Sequence, residues 1–275
     1  MSYLIAITGK GGVGKTTVSA LLVKYLIKNK KGPVLAIDAD PNSCLDAALG
    51  VTVAGTVGKA REEVRDKTAA GGASVSKREL LELKISESLV ESDGFDLIAM
   101  GRPEGAGCYC YANDVLKQVI KRLAGGYPYV VLDNEAGLEN LSRRIVQSVD
   151  LLVLVSDASN AGLNTLSRLH DLAKEMNIKY GKLWLVVNKV RENSAQCTVH
   201  SAQLKDKDNN FQLSTFNFQL SDKTKEIKEK THADRLIALP DDAEVAEFAE
   251  NNRSLRELPD GNSVAKIINE LVKEI

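Results

Sequence analysis

Cysteine is scarce, at four in 275 residues, which excludes a disulfide scaffold of the kind that staples small secreted domains. Reduced thiols, inert or functional, are expected. Charge of one sign is lacking as well. With 36 Lys and Arg against 37 Asp and Glu, the formal net charge is −1, and there is no overall electrostatic footprint for nucleic acid or an anionic membrane surface. Any such binding would have to be local. Long hydrophobic runs are absent: the longest aliphatic stretch, Leu151 to Val155, has strand length, far short of the roughly 20 residues of a membrane span. The opening MSYLIAITGKGG has no basic start, extended apolar segment or small-residue cleavage site of a signal peptide. The expectation is a cytoplasmic protein with neither a nucleic-acid nor a membrane partner.

What is present is a regular alternation. Apolar, β-rich runs at Tyr3–Thr8, Val34–Asp38, Phe95–Met100, Tyr129–Asp133, Leu151–Val155, Leu183–Asn188 and Arg235–Leu239 are separated by helical patterns near 16–30, 113–125, 139–149, 162–177 and 222–231. Continuously hydrophobic strands are buried on both faces, and intervening helices imply parallel neighbours. The fold class expected is α/β, one doubly wound, mostly parallel sheet flanked by helices, over residues 1–275. Two regions fit less well. Residues 55–92 are charged and helix-prone, a helical excursion around Gly71-Gly72-Ala73. Residues 191–221 are polar with scattered Phe, longer than the roughly 2–6 residues usual for such a connection, and read as an insertion. Near the C-terminus Val264, Ile267, Ile268, Leu271, Val272 and Ile275 share one helical face. Two lysines against two glutamates make this a packing helix rather than a basic membrane-surface one.

The string Gly9-Lys10-Gly11-Gly12-Val13-Gly14-Lys15-Thr16 fits G-x-x-x-x-G-K-[ST] and lies between an expected strand and helix, as a P-loop requires. Glycines let successive N–H groups turn inward around phosphate oxygens, and the following helix adds its positive end. Lys15 neutralises the β and γ phosphates while the Thr16 hydroxyl ligates Mg²⁺. An ordinary P-loop does not require Lys10. With it, GKGGVGKT resembles the deviant Walker A motif of the ParA, MinD and nitrogenase iron protein group, whose early lysine reaches across a nucleotide-sandwich dimer.

That resemblance implies a P-loop ATPase forming a homodimer with ATP. It implies that Gly9, Lys10, Gly11, Gly12, Val13, Gly14, Lys15, Thr16 and Thr17 contact ATP or ADP. Asp38-Ala39-Asp40-Pro41 falls where the group has its first switch, with Asp38 holding Mg²⁺-bound water and Asp40 orienting the attacking water. A helix cap is the other reading of Asp38. Asp133, closing an apolar strand, resembles the Walker B aspartate, so that Thr16, Asp38 and Asp133 form the magnesium set and Asn134 to Gly137 the second switch. Lys10, Lys15 and Asp40 are the catalytic candidates. Asn188, Pro240 and Asp241 match places where the group contacts adenine, although turn chemistry also accounts for Asp241.

GAGCYCYAND, residues 105–114, puts Cys108 and Cys110 in a glycine-rich loop after a strand. One loop supplies half of a closed four-thiolate site; the other reading is a pair of small buried hydrophobes. A two-fold dimer brings two copies onto one axis, and soft thiolates suit Zn²⁺, Cu(I), or Ni²⁺ in a flattened geometry. Together GKGGVGKT, DADPNSCL (38–45), VRDKTAAGG (64–72), GCYC (107–110) and DNEAGLENLSRR (133–144) resemble the CooC-type nickel-insertion accessory ATPases of carbon monoxide dehydrogenase and the related accessory proteins of acetyl-CoA synthase. The resemblance implies a metallochaperone that binds Ni²⁺, or Zn²⁺ in its place, at Cys108 and Cys110 between two subunits, with a nickel enzyme as client. Outside it lie residues 191–221, whose Cys197-x-x-His200 is either a second metal site or structural, and Cys44, read as packing. Two other classes share the ATPase core. A nitrogenase-iron-protein-like electron-transfer protein would need a second cysteine beyond Asp133, and DNEAGLEN has none. A positioning ATPase would need a membrane or DNA footprint.

Overall fold

The computed structural model describes residues 2–29, 31–69, 76–101, 121–138, 148–191, 197–200, 217–220 and 222–275. Eight strands form the main sheet: β1 (Tyr3–Gly9), β2 (Val34–Asp38), β3 (Val90–Ser92), β4 (Phe95–Ala99), β5 (Tyr129–Ala136), β6 (Ser148–Asp157), β7 (Lys179–Val190) and β10 (Arg235–Pro240). Their order across the sheet is β10-β7-β6-β1-β5-β2-β4-β3. Every pair is parallel except the edge strand β3, which runs antiparallel to β4. The expected doubly wound α/β sheet is therefore the fold.

Strand periodicity explains how one sheet supports two cores. In β2, Val34 and Ala36 enter the cluster on one face, and Leu35 and Ile37 the cluster on the other. In β6, Leu151, Val153 and Val155 face one way and Leu152 and Leu154 the other. Successive side chains alternate across a strand, so a strand covered on both faces must be apolar at every position. One face is covered by α1 (Lys15–Lys28), α2 (Leu45–Leu49), α7 (Ala243–Glu250) and α8 (Ser263–Lys273). The other is covered by α3 (Val57–Ala69), α4 (Lys77–Glu87), α5 (Asn160–Glu175) and α6 (Asp222–Thr231).

The helical excursion between β2 and β3 is α3 and α4. The second opens on a capping box, in which the Ser76 side chain accepts from Glu79 N while Glu79 returns a bond to Ser76 N, satisfying two otherwise orphaned donors. The C-terminal helix packs as expected. Val264, Ile267, Ile268, Leu271 and Val272 of α8 are all buried against the cluster that holds α1, each worth about 1.5–3 kcal/mol of apolar burial. No described helix is long and apolar enough to cross a membrane.

Two expectations change. Of the helix expected near 139–149, residues 139–147 lie outside the described residues, and its end is strand instead, because Ser148–Asp150 begin β6, with Val149 buried between exposed neighbours. That alternation of two is a strand signal, and it pairs Ser148 with Lys179 of β7. Within the polar insertion, β8 (Cys197–His200) and β9 (Asn217–Leu220) form an antiparallel ribbon. Each run has four residues, too short to display a period. Of the pattern near 113–125, only 121–125 lie among the described residues; 121–124 are helical and Gly125 begins a turn.

Candidate active site

The carboxyl ends of the central strands meet at the loop that joins β1 to α1, where ligands gather in open parallel sheets. Gly9 ends β1 under crowding: a Cβ there would lie 2.1 Å from the Val155 carbonyl oxygen of β6. Gly12 and Gly14 have φ of 76° and 92°, a left-handed backbone that glycine alone adopts cheaply. The loop thus turns tightly into the N-terminus of α1, which begins at Lys15 and contains Thr16 and Thr17. Lys15 is nearly buried, and its Nζ donates to the Lys10 carbonyl oxygen at 3.1 Å. Lys10 itself is exposed.

Beneath the loop lie two adjacent carboxylates, because Asp38 of β2 and Asp133 of β5 pair in register. Both are buried, at 0% and 1% exposure. Asp133 accepts from the Thr16 hydroxyl at 2.7 Å and from the Ser19 hydroxyl at 3.0 Å. Burial pushes its carboxyl up to about 7, with the Asp38 charge adding to the rise and the Thr16, Ser19 and Lys15 contacts opposing it. Asp38 accepts from Asp40 N at 3.0 Å and Leu45 N at 2.9 Å, so its carboxylate organises the loop after β2. Burial pushes it up to about 6 despite those bonds. Asp40 lies in that loop and accepts from Asn42 N at 2.8 Å. Two buried carboxylates of one sign beside a threonine hydroxyl form a set of hard oxygen donors, the chemistry that suits Mg²⁺.

The segment after Asp133 is spliced to β1 by a bulge. Ile7 pairs with Asp133 and Gly9 with Ala136, so Thr8 opposes two residues, a device that re-aims a strand beside an active site. The Asn134 Nδ2 donates to the Ile7 carbonyl at 2.9 Å, and Gly137 N donates to the Gly9 carbonyl at 3.1 Å. Thr8 Oγ1 donates to the Gly137 carbonyl. The segment from Asn134 to Gly137 is therefore anchored directly to the strand that leads into the glycine-rich loop.

From the opposite side, β7 clamps the same loop. Asn188 Nδ2 donates to the Val13 carbonyl at 2.8 Å, and Lys189 Nζ to the Gly12 carbonyl at 3.1 Å. Asp241, following Pro240 at the end of β10, is tied by its N–H to the Val190 carbonyl at 2.9 Å and by its carboxylate to Arg191 at 3.0 Å. Asn188 thus reaches the phosphate loop, while Asp241 closes the neighbouring rim. Ser19 and Lys189 escape a motif reading. Ser19 is four residues after Lys15, a helical spacing that signals the shared face; no local pattern marks Lys189.

Cys108 and Cys110 lie outside the described residues. Among the described residues no group of three or more His, Cys, Asp and Glu is placed to hold a metal ion. Cys44 is exposed and unbonded, rather than packed. Its thiol is pushed up by burial and by Asp38, Asp40, Asp46 and Asp133, which disfavours the thiolate a metal needs. In the ribbon, Cys197 and His200 stand at opposite ends of β8 and pair with Leu220 and Asn217.

Comparison with known proteins agrees with this geometry. The chain is 39% identical to an uncharacterized ATP-binding protein of Methanocaldococcus jannaschii, with 99% of this chain and 98% of that protein covered. It is 31% identical to the carbon monoxide dehydrogenase accessory protein CooC of Rhodospirillum rubrum, over 64% of this chain and 70% of that one. A ParA family ATPase from Chlorobium tepidum superposes with a TM-score of 0.67 at 17% identity, covering 99% and 98% of the two chains. The model of the CobQ/CobB/MinD/ParA nucleotide binding domain matches residues 4–255, and the chain belongs to that family.

Proposed function

We propose that the protein is an ATP-dependent metallochaperone. It dimerises with ATP, binds Ni²⁺, or Zn²⁺ in its place, through Cys108 and Cys110 of two subunits, and serves carbon monoxide dehydrogenase or acetyl-CoA synthase. One observation carries the reading: a chain related to CooC at 31% identity combines Lys10 in its phosphate loop with the Cys108-Tyr109-Cys110 pair. The lysine calls for a dimer, and the dimer turns two half-sites into one four-thiolate site.

The chain's own groups divide the chemistry. N–H groups of the loop from Gly9 to Thr17 surround the phosphates, and the Lys15 ammonium exchanges the Lys10 carbonyl for β and γ oxygens. Thr16, Asp133 and Asp38 would hold Mg²⁺, which would neutralise charge on the phosphates when bound. Asp40 orients the water that attacks the γ-phosphorus as the bond to the β-phosphate oxygen breaks. Lys10 reaches the phosphates of the partner subunit. Asn188, Pro240 and Asp241 flank adenine. Loss of the γ-phosphate then releases the two switches that Asp38 and Asn134 anchor, and the shared metal site changes with them.

Metal analysis of a Cys108→Ala/Cys110→Ala variant tests the reading. It should retain ATP binding and hydrolysis while losing the stoichiometric metal per dimer that wild type holds with ATP. Unchanged metal content would end the assignment. The MinD and ParA kinship of the family favours a second reading, a positioning ATPase, which ATP-dependent binding to anionic liposomes or DNA would establish in its place. The apolar face of α8 is already used in the core and offers nothing to a membrane.

A further inference from the structure

We propose that Ser19 is a positioning residue for the magnesium set: it holds one oxygen of Asp133 so that the other stays turned toward Thr16. The inference rests on the reading of Thr16, Asp38 and Asp133 as the groups that bind Mg²⁺. Its basis is the way two hydroxyls share one carboxylate. Thr16 and Ser19 are three residues apart on α1, a spacing that puts both on one helical face. The Thr16 hydroxyl donates to Asp133 Oδ2 at 2.7 Å, and the Ser19 hydroxyl to Oδ1 at 3.0 Å. Among the described residues each oxygen of Asp133 therefore has one donor.

Ser19 Oγ also lies 3.0 Å from the Lys15 carbonyl oxygen, and one hydroxyl proton cannot serve two acceptors. The helix decides between them. Inside α1 the Lys15 carbonyl already receives the N–H four residues on, whereas Asp133 Oδ1 depends on Ser19. Ser19 is 0% exposed and Asp133 1%, so bulk water does not replace a missing hydroxyl. The terminal torsion of a carboxylate is soft and nearly two-fold. Asp38, paired with Asp133 in register on the neighbouring strand, is a second carboxylate that repels rather than aligns it. Fixed donors must therefore set its orientation. Thr16 belongs to the metal-binding set and its hydroxyl is committed there. Ser19 lies outside that set, and its hold on Oδ1 is the same whether the site is empty or filled.

Ser19→Ala removes the donor, and Ser19→Cys keeps nearly the same volume with only a weak donor. Binding of a fluorescent, non-hydrolysable ATP analogue is titrated against Mg²⁺. Loss of a group that orients a metal ligand costs about 10–100-fold in metal affinity, so the half-maximal Mg²⁺ concentration in Ser19→Ala should rise by about tenfold or more. Ser19→Cys should fall between Ser19→Ala and wild type, and it carries the test if Ser19→Ala does not fold. In EDTA the analogue should bind each variant as it binds wild type. In an Asp133→Asn background Ser19→Ala should shift the Mg²⁺ dependence no further. A merely structural role would lower the urea midpoint and leave the Mg²⁺ titration alone. A folded variant with the wild-type Mg²⁺ dependence, or a shift that persists in Asp133→Asn, overturns the inference alone. Wild type whose nucleotide binding ignores Mg²⁺ overturns the magnesium reading and this inference together.

Discussion

Replacing Gly14 by alanine strikes the phosphate loop at the point where its backbone and its support meet. Gly14 has φ 92° and ψ 28°, and a left-handed conformation costs a residue with a Cβ about 1–2 kcal/mol. The new Cβ would also lie 2.3 Å from Asn188 Nδ2, the atom that donates to the Val13 carbonyl at 2.8 Å. Driving Asn188 away leaves a buried amide and a carbonyl unpaired, at about 1–3 kcal/mol. The two terms give a loss of roughly 2–5 kcal/mol, measurable by urea denaturation, together with loss of affinity for a fluorescent ATP analogue. Gly11→Ala is the control. A Cβ there meets nothing within 4 Å, so stability should hold within about 0.5 kcal/mol, while ATP affinity should fall if the loop cradles phosphate. An Asn188→Ala/Gly14→Ala double variant should cost less than the sum of the single ones, by about 0.5–3 kcal/mol, because the clash is removed. Wild-type stability in Gly14→Ala, or strict additivity with Asn188→Ala, would refute the clamp.

Asp133→Asn separates folding from chemistry. At pH 8 without Mg²⁺ the wild-type carboxylate is ionised, buried and beside Asp38, so the amide should leave the urea midpoint equal or higher. Mg²⁺-dependent hydrolysis should drop by about a hundredfold or more; a lowered midpoint with intact hydrolysis would contradict this. His170 of α5 predicts acid sensitivity. It is 1% exposed, and neither ring nitrogen has a hydrogen-bond partner; its Nδ1 is 3.7 Å from Asp171. Burial first, then Lys174 and Lys230, hold its pKa below the ordinary imidazole value, with Asp171 opposing. The unfolded chain therefore takes up the proton first. Stability present above an unfolded pKa of about 6.5 should decline as pH falls through it, levelling below the folded pKa. His170→Leu should flatten that part of the pH profile in denaturation at pH 5–8, and an unaltered profile would assign the acid sensitivity elsewhere.

Much of the site could be read locally because its parts announce themselves locally. A strand buried on both faces must be continuously apolar, so Asp38 and Asp133 stand out as the polar ends of Val34–Ile37 and Tyr129–Leu132. A glycine-rich turn followed by Lys15 and Thr16 carries its chemistry in eight consecutive residues. The short edge strand β3 and the ribbon of β8 and β9 escaped, since neither is long enough to establish a period. The start of β6 reads as helix in the sequence because one buried valine between polar neighbours fits more than one pattern.

By itself the sequence determined the α/β class, the phosphate loop, the two carboxylates at strand ends and the packing face of α8. Each depends on the identity or periodicity of neighbouring residues. Tertiary structure alone decided that β1 lies between β6 and β5, and with it which distant side chains meet. Asn188 reaches Val13 across 175 positions, and Thr16 reaches Asp133 across 117. Strand neighbours are chosen by the burial of whole faces and by the connections between them, and no short window of sequence contains that information.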